Sequence, residues 1–144
     1  INLCSYEVSI LASIVEKEQS IRIDERKKIA GLYLNRLRKG MRLESDPTLI
    51  FALGDFSIKR VLNKDKKVDS PYNTYMYLGL PPGPICIPSI NAIDAVLNAE
   101  SHDFIFMCAK EDFSGYHNFS KTYVKHLFNA RKYHTALNKR RIMR

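Results

Sequence analysis

Glu16 and Glu18 close the apolar run Leu11-Ala12-Ser13-Ile14-Val15. A carboxyl at the end of such a run can act as a general acid if its surroundings keep it protonated. An α-helix turns about 100° per residue, so Leu11, Ile14, Val15 and Glu18 share one face, while Glu16 falls roughly 140° away from Leu11. Glu18 thus continues the apolar stripe and Glu16 leaves it. Burial disfavours a charged carboxylate and raises its pKa. This matters because an unperturbed Glu, with a pKa of about 4.3, is only about 0.2% protonated at pH 7. The same position equally suits a stripe residue that has reached solvent, or one paired with a nearby Arg.

Other polar groups stand where chemistry or architecture could use them. Asp46 precedes Pro47, the pattern of an N-cap followed by proline at the first helical position, which explains Asp46 fully as a cap. Asn35 and Arg36 sit late in an apolar-periodic helix, where Asn needs a polar partner or forms part of a helix-end surface pair. Residues 70–90 hold Tyr72, Asn73 and Tyr75 and then Gly79-Leu80-Pro81-Pro82-Gly83-Pro84. The prolines forbid regular structure, and the segment is too apolar for a disordered linker. A rigid aromatic loop of this kind suits a binding wall for carbohydrate, and the alternative is a polyproline-type ligand. Cys4, Cys86 and Cys108, and His102, His117, His126 and His134, have neither disulfide-framework nor metal-ligand spacing. No metal and no cofactor is expected, and Cys4 and Cys108 are expected in the core.

The elements that must position these groups follow from periodicity and caps. A first helix is expected over 5–18 with Ser5 as N-cap, and a second over 25–39, capped by Asp24 and ended by Gly40. Its apolar positions include Ile29, Tyr33 and Leu37. Met41–Ser45 alternates like a short strand, and a third helix runs from Asp46 to about Gly54. A short helical turn is expected over 57–62, and a polar, mobile loop over 63–69. Ser89 caps a fourth helix, 90–98. Strands over 104–109 and 116–119 flank a turn, and Ser120 caps a final helix, 121–138. The class is α+β: a mostly helical single domain with a small antiparallel sheet.

The chain has 144 residues, enough for one domain with a real core. Its formal charge is +8. Lys64, Lys66, Lys67, Lys139, Arg140, Arg141 and Arg144 account for nearly all of that excess. Such a distribution reads as a solvated loop and tail rather than a nucleic-acid surface. No apolar run approaches the ~20 residues that span a bilayer. The chain opens at Ile1, which suggests a fragment of a longer protein.

Taken together, several segments resemble the catalytic domain of the YceG-like, or MltG-type, endolytic murein transglycosylases. They are Leu11–Glu18, Glu25-Arg26, Leu34-Asn35-Arg36-Leu37, Gly40-Met41-Arg42-Leu43, Ser45-Asp46-Pro47-Thr48, Tyr72-Asn73-Thr74-Tyr75 and Gly79–Ile85. His117, Phe119 and the final helix with His126 and Asn129 complete the set. The resemblance covers nearly the whole chain in order. Gln19 departs from it, standing where a Thr is common, and so does Leu49-Ile50-Phe51. The first departure leaves the hydrogen-bond partner of Glu18 open.

The resemblance implies an enzyme that cuts peptidoglycan strands internally, between N-acetylmuramic acid and N-acetylglucosamine, and leaves a 1,6-anhydro end. Glu18 falls on the family's catalytic glutamate. Tyr72, Asn73 and Tyr75 would line the sugar cleft, Asn35, Arg42 and Asp46 would orient the acid or hold substrate, and His117 would stand near the intermediate. The implied partners are glycan strands and the cell-wall synthesis machinery, with no nucleic acid. The implied location is the extracytoplasmic side of the bacterial inner membrane, held by an N-terminal helix beyond this chain, with a LysM-like module between. The alternatives are a hydrolytic muramidase, with Asp46 as base, and a non-catalytic module that binds peptidoglycan or nucleic acid.

Overall fold

The structure is a computed structural model and describes residues 2–140; Arg141 and Arg144 of the basic tail lie outside that range. Helix α1 spans Ser5–Glu18 and leads through a 3-10 turn, Ile23–Glu25, into α2, Arg26–Arg38. Helix α3 is Asp46–Leu53, a second 3-10 turn covers Asp65–Lys67, and α4 is Ile90–Leu97. Strands β1, Phe106–Ala109, and β2, His117–Ser120, form an antiparallel hairpin with Phe106 opposite Ser120 and Ala109 opposite His117. Helix α5, Tyr123–Lys139, packs back on that hairpin. The architecture is α+β, as the sequence pattern predicts.

Helix α1 is the central element, with every residue from Ile10 to Val15 buried. It packs against α2, α3 and α4, and the core joins its apolar residues to Ile29, Leu32, Tyr33, Leu43, Ile85, Ala92 and Val96. Each large side chain of this kind contributes about 1.5–3 kcal/mol by leaving water. Close approach is built in at Gly31 on α2, where an added Cβ would lie 2.2 Å from the Glu100 carbonyl oxygen. Gly54 ends α3 at φ 72°, a conformation that side chains disfavour.

Several caps shift by a residue or two from the expected positions. Cys4 rather than Ser5 caps α1, its N–H donating to Glu7 at 3.0 Å. Glu25 rather than Asp24 precedes α2, because the 3-10 turn absorbs Asp24. Ser45, not Asp46, is the N-cap of α3. Thr122, not Ser120, caps α5, accepting from the Lys125 N–H at 3.3 Å. Ser89 caps α4 as expected, accepting from the Ala92 N–H at 3.2 Å.

Three expectations are corrected outright. Met41–Ser45 forms no strand, since Glu44 turns to φ 51° and its N–H donates to the Thr74 carbonyl. Residues 57–62 form no helical turn. That turn comes later, at Asp65–Lys67, where the Asp65 carboxylate accepts the Leu62 N–H at 2.9 Å. Cys4 is exposed at its cap, and Cys108 is half-buried on the hairpin. Among the described residues no helix is long and apolar enough to cross a membrane.

Candidate active site

Glu18 is the last residue of α1, and its carboxyl meets two hydroxyls. Oε1 accepts from the Tyr33 hydroxyl of α2 at 2.7 Å and from the Ser45 hydroxyl at 3.0 Å. Among the described residues Oε2 makes no hydrogen bond, and it is not one of the buried polar atoms without a partner. One oxygen is therefore fixed and the other opens to the surface. Burial raises the pKa of Glu18 and the Asp46 charge adds to that, while Tyr33, His117 and Ser45 oppose it; the net shift is upward. Burial and the neighbouring Glu18 raise Tyr33 well above the usual phenol range, so it remains a donor.

Ser45 is held from behind. Its N–H donates to Thr74 Oγ1 at 2.8 Å, Thr74 Oγ1 lies 2.8 Å from Thr48 Oγ1, and Thr48 Oγ1 donates to the Ser45 carbonyl at 2.8 Å. All three residues are buried. Ser45 Oγ caps no backbone N–H of α3 and donates to Glu18 instead. Next along the chain, Asp46 accepts a short hydrogen bond from the Tyr75 hydroxyl. Loss of surrounding water at the carboxyl raises Asp46 above its ordinary value, although the residue as a whole is exposed, and Tyr75, Lys66 and His134 act against the rise. Lys66 Nζ lies 4.8 Å from the Tyr75 ring centroid. The supposedly solvated 63–69 loop thus borders the site.

On the other side stands a carboxylate–imidazole pair. His117 Nδ1 lies 2.5 Å from Glu25 Oε1, and the His117 N–H donates to Glu25 Oε2 at 3.1 Å. Gln19 Nε2 donates to Glu25 Oε1 at 3.0 Å and to the Gly115 carbonyl at 2.8 Å, while its Oε1 accepts the Arg22 N–H at 2.9 Å. Gln19 therefore faces Glu25, and the Glu18 partners are Tyr33 and Ser45. Burial alone would raise the Glu25 carboxyl, but the bonds from His117 and Gln19 outweigh it and hold it below the usual range.

Other sequence candidates have architectural posts. Asn35 lies roughly 200° around α2 from Tyr33, and its amide donates to the carbonyls of His102 at 2.8 Å and Phe104 at 3.0 Å. It lines a separate cleft of about 510 Å³ with Gly31, Glu100 and His102. Its neighbour Arg36 is buried and donates to Ile105 O at 2.7 Å and Arg42 O at 2.6 Å. Arg42 is exposed and donates to Met76 O at 3.1 Å. Tyr72 packs on the core against Phe51. Asn73 is fully buried; its amide nitrogen bonds the Lys66 and Val68 carbonyls and its oxygen accepts the Tyr75 N–H. It positions the basic loop and Tyr75.

The proline strap also departs from the expected wall. It is pinned along α1 by Tyr6 to Pro82 O at 2.9 Å, Ser13 to the Ile85 N–H at 3.0 Å, and Glu16 to the Ser89 N–H at 2.7 Å. Those three positions lie about 120–160° around the helix from Glu18. Only the 72–75 part of the segment borders the acid. The bonds from Ser89 also hold Glu16 below the usual carboxylate range. Spacing alone missed Tyr33, Ser45, Gln19 and Glu25. The available signal was Tyr33, a phenol on a core stripe, whose hydroxyl needs a partner when buried.

The model of the YceG-like family matches residues 1–132. The chain belongs to the YceG-like family. A curated relative in Bacillus subtilis (strain 168), an endolytic murein transglycosylase, is 38% identical over 135 residues, covering 94% of this chain and 36% of that protein. An endolytic murein transglycosylase of Streptococcus pneumoniae serotype 2 (strain D39) is 38% identical over 112 residues, covering 75% of this chain and 20% of the relative. The crystal structure of a YceG-like protein from Listeria monocytogenes superposes with a TM-score of 0.79 at 41% identity, covering 85% of this chain and 39% of that one. The chain therefore spans about a third or less of the length of the curated relatives it matches.

Proposed function

We propose that this YceG-like chain carries the catalytic centre of an endolytic murein transglycosylase, with Glu18 as its single acid and base. The observation that carries the reading is the Glu18 carboxyl: one oxygen is held by Tyr33 and Ser45, the other is open, and burial favours its protonated form. Protonated Glu18 gives its proton to the glycosidic oxygen between N-acetylmuramic acid and N-acetylglucosamine as the C1–O bond breaks. The muramic C6 hydroxyl then attacks the oxocarbenium-like C1, and its proton passes to the Glu18 carboxylate. The product is a 1,6-anhydro end and the acid is regenerated. An ordinary glycosidase needs a second carboxylate as nucleophile or to activate water; here the substrate's own hydroxyl takes that part.

Asp46 supports a second reading, because it lies close enough for its charge to act on Glu18. As a base it would make the protein a hydrolytic muramidase. Its hydrogen bond from Tyr75, a phenol kept protonated by burial and by Asp46 itself, engages it otherwise. Murein lies outside the cytoplasmic membrane, so the proposed site of action is extracytoplasmic, with a single-pass anchor at the inner membrane and the cell-wall synthesis machinery as neighbours. The test is Glu18→Gln. This variant should bind purified sacculi as the wild type does and release no glycan fragments. Full cleavage by the variant would remove Glu18 from the reaction.

A further inference from the structure

We propose that Glu25 is a positioning residue of the cleavage site: together with Gln19 it holds His117 by Nδ1, leaves Nε2 open, and so sets the imidazole as the counter-charge that steadies Glu18 once its proton has gone. The proposal rests on the cleavage reading above and adds residues to it.

The geometry begins with Gln19, the residue after Glu18. Its amide spans Glu25 Oε1 and the Gly115 carbonyl, tying the end of α1 to both the 3-10 turn and the β1–β2 connection. Glu25 takes donations from Gln19 Nε2, the His117 N–H and His117 Nδ1. An ionised carboxylate is an acceptor only, so Nδ1 carries a proton. That fixes the neutral ring as the Nδ1–H tautomer. Among the described residues Nε2 makes no hydrogen bond, and it is not one of the buried unpaired atoms. A carboxylate gripping Nδ1 while Nε2 stays open is the arrangement that orients imidazoles in many sites. His117 is also near enough for its charge to act on Glu18, favouring the ionised acid.

Glu25 meets the ring from the 3-10 turn and Gln19 at the end of α1 meets Glu25; Glu18 is close enough for its charge and that of the ring to interact. On its own strand lies Phe119, 6.2 Å between ring centroids. Lys28 of α2 sits over that Phe119 ring, 4.9 Å from its centroid. Arg22 and Asp24 are engaged at Tyr116. In the proposed reaction a negative charge appears on Glu18 as the glycosidic oxygen takes the proton. The charged form of the imidazole opposes that negative charge, and Glu25 keeps the ring in place.

The test uses the 144-residue chain with 15N-labelled His and 13Cδ-labelled Glu. In the wild type, His117 should show the Nδ1–H signature once neutral. Glu25→Gln should lose that preference. In both Glu25→Gln and His117→Gln the Glu18 carboxyl should titrate about one pH unit higher, a roughly tenfold rise in proton affinity, and the alkaline limb of murein cleavage should move with it. Loss of stability alone would lower activity without moving the limb. If Glu25→Gln does not fold, His117→Gln still reports on Glu18. An Nε2–H tautomer in the wild type, or an unmoved Glu18 midpoint in a folded variant, overturns the proposal. A wild type with the predicted tautomer and shifts but no cleavage overturns the transglycosylase reading and leaves the clamp standing.

Discussion

Replacing Tyr33 with Phe removes one atom and isolates one interaction. The ring is almost fully buried at 2% exposure and keeps its packing, while the hydroxyl's 2.7 Å bond to Glu18 Oε1 disappears. Hydrogen bonds to charged groups are worth about 1.5–3 kcal/mol. Ser45 still donates to the same oxygen and Oε2 reaches water, so the low end applies, about 1.5 kcal/mol. The lost bond favoured the ionised form, so Glu18 in the variant should hold its proton about tenfold more tightly. The alkaline limb of glycan cleavage then moves up by about one pH unit. The assay is initial-rate release of anhydro-ended fragments from soluble glycan strands across pH 4–10, with the Glu18 carboxyl followed by 13C NMR. A limb that stays in place, or moves down, would refute the claim that Tyr33 steadies the ionised acid.

Other consequences follow from the same contacts. Ser45→Ala removes the longer, 3.0 Å bond and should move the limb in the same direction by less than Tyr33→Phe does, measured in the same pH series. Glu18 has a folded-state pKa raised above 4.5, so the folded chain holds that proton longer than the unfolded one. Its contribution to stability is present at low pH and is lost as pH rises from the unfolded value through the folded one. Glu18→Gln stays neutral, so its melting temperature relative to wild type should be higher at pH 8 than at pH 4, as read by calorimetry. Asn73→Ala leaves the Lys66 and Val68 carbonyls and the Tyr75 N–H without their partner. It should cost about 3 kcal/mol in urea unfolding. Gly31→Ala drives a methyl against the Glu100 carbonyl and should cost about 1–3 kcal/mol by the same measurement.

Local signals were legible in the sequence because local physics sets them. Helix spans, the Ser89 cap and the glycine ends of α2 and α3 lie within a residue or two of their expected places. Glu18 lies on the Leu11, Ile14 and Val15 face of α1 and its carboxyl meets Tyr33 and Ser45, although the helix is buried all round from Ile10 to Val15 rather than along one stripe. What spacing could not reveal were the contacts of side chains with distant backbone. Asn35 and Asn73 look like sugar-binding amides in sequence, but each satisfies carbonyls, Asn35 at His102 and Phe104, Asn73 at Lys66 and Val68. Ser45 reads as a residue before a helix, and nothing in its spacing shows that Thr48 and Thr74 hold its backbone while its hydroxyl donates to Glu18. Met41–Ser45 alternates like a strand, yet the left-handed Glu44 breaks it. The resemblance supplied Glu18 as the acid; the structure supplied the neighbours that can tune it.

In the proposed reaction one carboxyl and the substrate's own hydroxyl suffice for bond cleavage. Digestion of purified sacculi in 18O-enriched water, followed by mass spectrometry of the released strands, measures this directly. The wild type should give ends that are lighter by one water than hydrolysis products and carry no label, and Glu18→Gln should give none. Labelled reducing ends from the wild type, or unlabelled anhydro ends from Glu18→Gln, would contradict it.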